Sequence, residues 1–217
     1  MSQVTLDSIN HRWVIGITGA SGTVYARRLV KLLSEHVAEA TVDLVISEAG
    51  FRVLREEDGI KISANATSEK IAELFDIEAA RLRIHHANDI GATIASGTYR
   101  TAGMVVIPCS MGTLGAIASG HSQHLVHRAA EVTLKERRRL ILVPRETPLS
   151  PIHLENLLKL SRIGVAIVPA MPGFYHQPQT LTELVDMMVM KVLDQMGYHI
   201  SPVPRWKESV AMGARLV

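Results

Sequence analysis

The residue types that can do chemistry in this chain gather in short turns, each placed just after an apolar strand pattern. Gly19-Ala20-Ser21-Gly22 follows the run from Trp13 to Thr18 and opens a helical stretch. Backbone N–H groups left free at such a helix start meet an anion, most simply a phosphate. Glycines suit the turn because a backbone this close to a ligand leaves no room for side chains. The spacing Gly16-x-x-Gly19-x-x-Gly22 is neither the dinucleotide fingerprint nor a Walker loop, and Ile17 stands where the former needs a glycine. A mononucleotide fits better, although a tight strand-to-helix turn with no ligand would read the same way. Pro108-Cys109-Ser110-Met111-Gly112-Thr113 repeats the arrangement, with hydroxyls at Ser110 and Thr113 that suit either a helix cap or the polar edge of a ligand. Ser47, at the end of another strand pattern, adds a hydroxyl to the same rim. Three such loops on one edge favour a shared site over three independent caps.

Charged residues form two further groups. Arg128, Glu131 and Lys135 recur at i, i+3 and i+7 on one helical face, an arrangement that is ordinarily solvated and worth little. In Arg145-Glu146-Thr147-Pro148, an adjacent Arg and Glu stand at the carboxyl end of a strand, where the Arg can hold a phosphate and the Glu can transfer a proton. Tyr175, in Pro172-Gly173-Phe174-Tyr175, also follows a strand and could bond an anion or simply plug a gap with its hydroxyl outward. His121, His124 and His127 are spaced by three, but no usual metal ligand set completes them, so they read as surface histidines and no metal is expected. Cys109 has no base placed for it and reads as packing.

These turns need strands to position them. Strand patterns run over Trp13 to Thr18, Thr41 to Ser47, Met104 to Pro108, Leu140 to Pro144 and Val165 to Pro169, with a weaker one at Leu82 to His85. Helical patterns lie between and after them: Tyr25 to His36, Glu69 to Phe75, Thr113 to Ala118, Leu125 to Arg137, Ile152 to Ser161 and Leu181 to Met196. The alternation predicts an α/β fold with a mostly parallel sheet, its chemistry at the carboxyl ends of the strands. One domain over 1–217 is expected, with a core over 12–200 and a C-terminal arm over 201–217. The 217 residues are 47% hydrophobic and 20% charged, with a net charge of +2 and one cysteine. The apolar surplus suggests a buried subunit interface. The charge is too small to argue for nucleic acid, the lone cysteine excludes an intramolecular disulfide, and no leader or membrane-spanning run is visible, so a cytoplasmic setting is expected.

Taken together, the motifs resemble the flavin prenyltransferases of the UbiX type, formerly described as aromatic acid decarboxylases. The resemblance spans about Trp13 to Lys207. It is carried by Gly19-Ala20-Ser21-Gly22, Ala95-Ser96-Gly97, Pro108-Cys109-Ser110, the block from Arg128 to Arg138, Arg145-Glu146-Thr147-Pro148-Leu149, and Pro172-Gly173-Phe174-Tyr175-His176-Gln177-Pro178. It implies a three-layer Rossmann-like flavoprotein fold, a homododecamer and FMN bound at subunit junctions. It also implies a metal-independent reaction that joins a dimethylallyl group from dimethylallyl phosphate to N5 and C6 of reduced FMN. The product, prenylated FMN, would serve a UbiD-type decarboxylase. By position, Gly19, Ala20, Ser21, Ser47, Ser110, Met111, Gly112, Thr113 and Arg145 resemble the FMN-binding set, and Lys135, Tyr175, Lys191 and Arg128 the prenyl-phosphate set. Glu57 and Glu146 match acidic positions, Ser21 with Glu146 resembles a proton-handling pair, and Trp206 matches an aromatic that closes over the prenyl group. Lys191 stands where the family commonly has Arg, exchanging a bidentate fork for a point charge. Ile90 replaces a Trp found in some members.

Two other readings compete. A flavin-dependent cysteine decarboxylase would share the fold but use an Asn in the loop from Pro108 to Thr113, where this chain has none. A non-catalytic FMN carrier would leave Arg128, Lys135 and Tyr175 without a role.

Overall fold

The computed structural model describes residues 11–63 and 66–206. Six strands form one parallel sheet in the order β3-β2-β1-β4-β5-β6: β1 (Arg12–Ile17), β2 (Thr41–Ile46), β3 (Leu82–His86), β4 (Gly103–Cys109), β5 (Arg139–Pro144) and β6 (Ala166–Ile167). Among the described residues seven α-helices accompany it: α1 (Thr23–His36), α2 (Glu48–Asp58), α3 (Ser68–Leu74), α4 (Met111–Ser119), α5 (Leu125–Lys135), α6 (Pro151–Arg162) and α7 (Leu181–Met196). The central strands read as unbroken apolar runs because helices cover both faces of the sheet. Alternate residues part company accordingly. Ile15, Ile17, Val105 and Ile141 pack with Leu29 and Leu33 of α1 and Val189 and Leu193 of α7. Val14, Met104, Val106 and Leu142 pack on the opposite face with Leu114 of α4, Val126 of α5 and Leu160 of α6. The expected three-layer Rossmann-like α/β architecture is therefore present.

The structure departs from the sequence reading in two elements. Helix α2 has no counterpart among the helical patterns, because charged residues fill most of it and only Gly50 and Leu54 are fully buried. Its boundaries were nevertheless written in the chain: the Ser47 hydroxyl accepts the Gly50 N–H at its start, and Gly59 closes it in the left-handed region at φ 67. The sixth strand is shorter than expected, with ladder pairs at Ala166 and Ile167 only. Beyond them the chain stays beside β5 through hydrogen bonds from Val168 N–H to Leu142 C=O and from Ala170 N–H to Pro144 C=O. Pro169 has no N–H to continue the ladder.

Candidate functional site

The strand order reverses between β1 and β4, and the crevice outside their carboxyl ends is where an open α/β sheet takes its ligand. Thr18 ties the two loops that flank this crevice. Its hydroxyl donates to the Pro108 carbonyl at 2.8 Å and accepts the Ser110 N–H at 2.8 Å. On one side the Ser47 N–H donates to the Ile17 carbonyl at 2.9 Å, and on the other the Arg145 N–H donates to the Cys109 carbonyl at 3.3 Å. Parallel pairing thus brings Gly19–Gly22, Ser47, Ser110–Thr113 and Arg145 to one rim. The fit is tight: a Cβ on Gly19 would lie 2.5 Å from the Ala49 Cβ, so the glycine turn and the start of α2 rest directly on each other.

The two helix starts at the rim differ in what they offer an anion. At α1, Gly22 sits in the left-handed region with no side-chain cap, and its N–H donates to Glu57 Oε2 at 2.9 Å. The Thr23 hydroxyl donates to Asp58 at 2.7 Å, so the end of α2 already supplies negative charge to this helix start. The glycine turn read as a phosphate cradle is therefore partly satisfied from within the chain, a competition that spacing alone could not reveal. At α4, Ser110 Oγ accepts the Thr113 N–H, while the N–H groups of Met111 and Gly112 have no partner among the described residues. A Cβ on Gly112 would meet nothing within 4 Å, so open space abuts this helix start. Arg145 is exposed with no acidic partner among the described residues, and it lies near enough to Tyr25 for its charge to oppose the upward push that burial gives that phenol. Free N–H groups, buried Ser47 and Thr113 hydroxyls and an unpaired guanidinium form a donor set suited to a phosphate ester.

The remaining candidates divide. Glu146 lies next to Arg145 and folds onto its own loop, accepting the Thr147 N–H at 2.9 Å. Tyr175 and Trp206 meet edge to face, 5.3 Å between ring centroids, beyond the carboxyl end of β6. Arg128 bonds Glu131 at 3.1 Å, and Lys135 bonds the neighbouring Glu136 at 2.5 Å. Lys135 ends α5 just before β5 begins, and the first residue of β5, Arg139, pairs with the first residue of β4. It therefore sits at the amino-terminal edge of the sheet, a strand length of roughly 20 Å from the rim. Lys191 lies toward the end of α7, shortly before Tyr198, whose hydroxyl accepts the Trp13 indole N–H near the start of β1. Within one chain, Lys135 and Lys191 are thus set apart from the rim that carries the glycine turn and Arg145.

Buried titratable groups give one agreement, one correction and one addition. Burial pushes the Cys109 thiol far up, as suits a packing residue. His127 is not on the surface: it is 4% exposed, stacks on His124 at 3.8 Å, and burial with neighbouring imidazoles lowers it to about 4. The sequence placed it at a core position of α5 beside Val126 and Ala130, a signal that its spacing to other histidines masked. The addition is Asp43, 2% exposed, whose two oxygens accept from the His85 ring at 2.7 Å and from the Tyr99 hydroxyl at 2.9 Å. An acid inside an apolar strand pattern was its only sequence signal. Among the described residues no His, Cys, Asp and Glu group could hold a metal ion, and no helix is long and apolar enough to cross a membrane.

Comparison with known proteins sets this geometry in a family. The family model described as Flavoprotein matches residues 1–193. The flavin prenyltransferase UbiX of Halalkalibacterium halodurans is 50% identical over 196 residues, covering 90% of this chain and 93% of that protein. The crystal structure of a dodecameric FMN-dependent UbiX-like decarboxylase from Escherichia coli O157:H7 is similar with a TM-score of 0.79 and 44% identity, over 90% of this chain and 99% of that one. AnUbiX (PadA1), solved in complex with FMN and dimethylallyl pyrophosphate, is similar with a TM-score of 0.79 and 36% identity, over 91% and 97% of the two chains. A sequence and fold shared with these proteins over at least 90% of the chain, with a rim whose donors suit a phosphate ester, place it in the flavoprotein family, among its UbiX-type flavin prenyltransferases.

Proposed function

We propose that this chain is a flavin prenyltransferase that joins a dimethylallyl group from dimethylallyl phosphate to N5 and C6 of reduced FMN. The observation that carries the reading is the rim at the β1 and β4 carboxyl ends, where the Met111 and Gly112 N–H groups and the Arg145 guanidinium have no partner among the described residues, in a chain half identical to a flavin prenyltransferase. Ser110–Thr113, the Ser47 hydroxyl and Arg145 would hold the FMN phosphate, and Gly19, Ala20 and Ser21 would border the ring system. Reduced FMN, when bound, supplies the electron-rich N5 and C6 that accept the prenyl group.

Breaking an allylic C–O bond without a metal leaves charge on a phosphate oxygen and cationic character on carbon, so the protein must stabilise both. Arg128, Lys135, Lys191 and Tyr175 take the leaving phosphate, and Trp206, already edge-on to Tyr175, faces the allylic carbon, a contact worth about 2 kcal/mol when dry. Glu146 acting through Ser21 accepts the proton lost when C6 is bonded, while Glu57 holds the glycine turn in place through Gly22. Because Lys135 and Lys191 lie away from the rim of their own chain, the site is completed between subunits of a homo-oligomer, a dodecamer as in the E. coli relative. The product passes to a UbiD-type decarboxylase, and a cytoplasmic setting suits reduced flavin. A cysteine decarboxylase or a passive FMN carrier has no use for a second group of cations.

Subunit mixing tests the shared site. Arg145→Ala and Lys135→Ala subunits are each expected to be nearly inactive alone, and mixed assemblies are expected to regain phosphate release from dimethylallyl phosphate. Mixtures as inactive as their parents would show that both residues serve the same chain's site.

A further inference from the structure

A cavity of about 420 Å3 opens between the carboxyl ends of β2 and β3, on the far side of Ser47 from the flavin rim. Its size falls in the range of small-ligand sites. Ile46, Phe51 and Ile84 give it apolar walls, and Glu48, Arg55 and His85 give it polar ones. The His85 side chain is 8% exposed and is aimed by the buried Asp43, whose other oxygen is already taken by the Tyr99 hydroxyl. The ring bonds Asp43 through Nε2, which leaves Nδ1 without a partner among the described residues. Arg55 is exposed with no acidic partner among those residues, whereas its neighbour Arg52 is paired with Glu56. Glu48 stands one residue beyond the Ser47 cap that follows β2, its carboxylate without a partner among the described residues.

This combination has a chemical reading independent of prenyl transfer. In dinucleotide-binding sheets that share this strand order, the nucleoside lies along the carboxyl edge, and an acid just after the second strand bonds the ribose hydroxyls. We infer that the cavity is a binding site for an adenine nucleotide. Glu48 accepts from the ribose diol, Phe51 and the two isoleucines enclose the flat base, Nδ1 of His85 accepts from the exocyclic amine, and Arg55 binds the phosphate. A ligand bearing hydroxyls to donate and a phosphate to accept suits a cavity that offers one carboxylate and one guanidinium.

The test is calorimetric titration of AMP into FMN-saturated protein, with the flavin absorbance recorded throughout. The expected result is one AMP site per chain with flavin retained, weakened about tenfold by Arg55→Met and about fivefold by Glu48→Gln. Both residues are exposed, so neither variant threatens the fold, and FMN affinity is expected to be unchanged in both. No heat from AMP would overturn the inference. So would release of flavin, which would put AMP on the flavin phosphate site, or equal binding of ribose 5-phosphate, which would show that only the phosphate is read. Failure of prenyl transfer would leave these outcomes untouched.

Discussion

Gly112→Ala separates what the fold needs from what the ligand needs. Gly112 occupies the first turn of α4 with a backbone that any residue can adopt, and an added Cβ would meet no protein atom within 4 Å. The protein alone is therefore expected to gain about 0.5–1 kcal/mol from the better helix former, a rise of roughly 1–4 °C in Tm at this chain length. If a phosphate rests on the Gly112 N–H, the new methyl intrudes on it and disturbs a charge-assisted hydrogen bond worth about 1.5–3 kcal/mol, lowering FMN affinity roughly 10- to 100-fold. Gly115→Ala in the same helix is the control, since its Cβ would meet only the Asn156 side chain at 3.5 Å, and it should leave FMN binding unchanged. Thermal melts without flavin and titration by flavin fluorescence quenching give both quantities. A more stable Gly112→Ala protein with undiminished FMN affinity would refute the placement of the phosphate at α4.

Three other outcomes follow from the same structure. Glu146→Gln should slow prenyl transfer while leaving FMN bound, as checked by turnover and equilibrium flavin titration in parallel; lost flavin binding would move Glu146 out of proton handling. His127 is held at about 4, below its ordinary value, so the unfolded chain takes a proton between about pH 6.5 and 4 that the folded chain resists. Stability is thus full above that window and falls through it, and urea midpoints at about pH 7 and pH 4.5 should show His127→Leu losing on the order of 2 kcal/mol less than the parent. Asp43→Ala strands the His85 ring and the Tyr99 hydroxyl, costing about 3 kcal/mol by urea unfolding. It should also lower the Tyr99 phenol from about 12, to which burial and then Asp43 raise it, as read by ultraviolet titration.

Much of the rim was legible because parallel-sheet chemistry is local. Each turn carrying Gly19, Ser47, Ser110 or Arg145 follows its strand directly, so finding the strands located the turns. Helix α2 was not legible, because its apolar face is narrow, with only Gly50 and Leu54 fully buried, and the contact of Ala49 with Gly19 leaves no periodic trace. The Glu57 bond to Gly22 was equally hidden, since 35 residues separate partners that only the fold brings together. His127 misled because its spacing to His121 and His124 suggested a surface group, whereas its place between Val126 and Ala130 made it part of the core. The separation of Lys135 from the rim follows from helix direction, which no side-chain motif encodes.

Incubating the protein without oxygen with reduced FMN and dimethylallyl phosphate, then weighing the extracted flavin by mass spectrometry, tests the activity most directly. A flavin heavier by one isoprene unit, formed with release of inorganic phosphate, is the expected result. Recovery of unaltered FMN with the phosphate ester intact would contradict it.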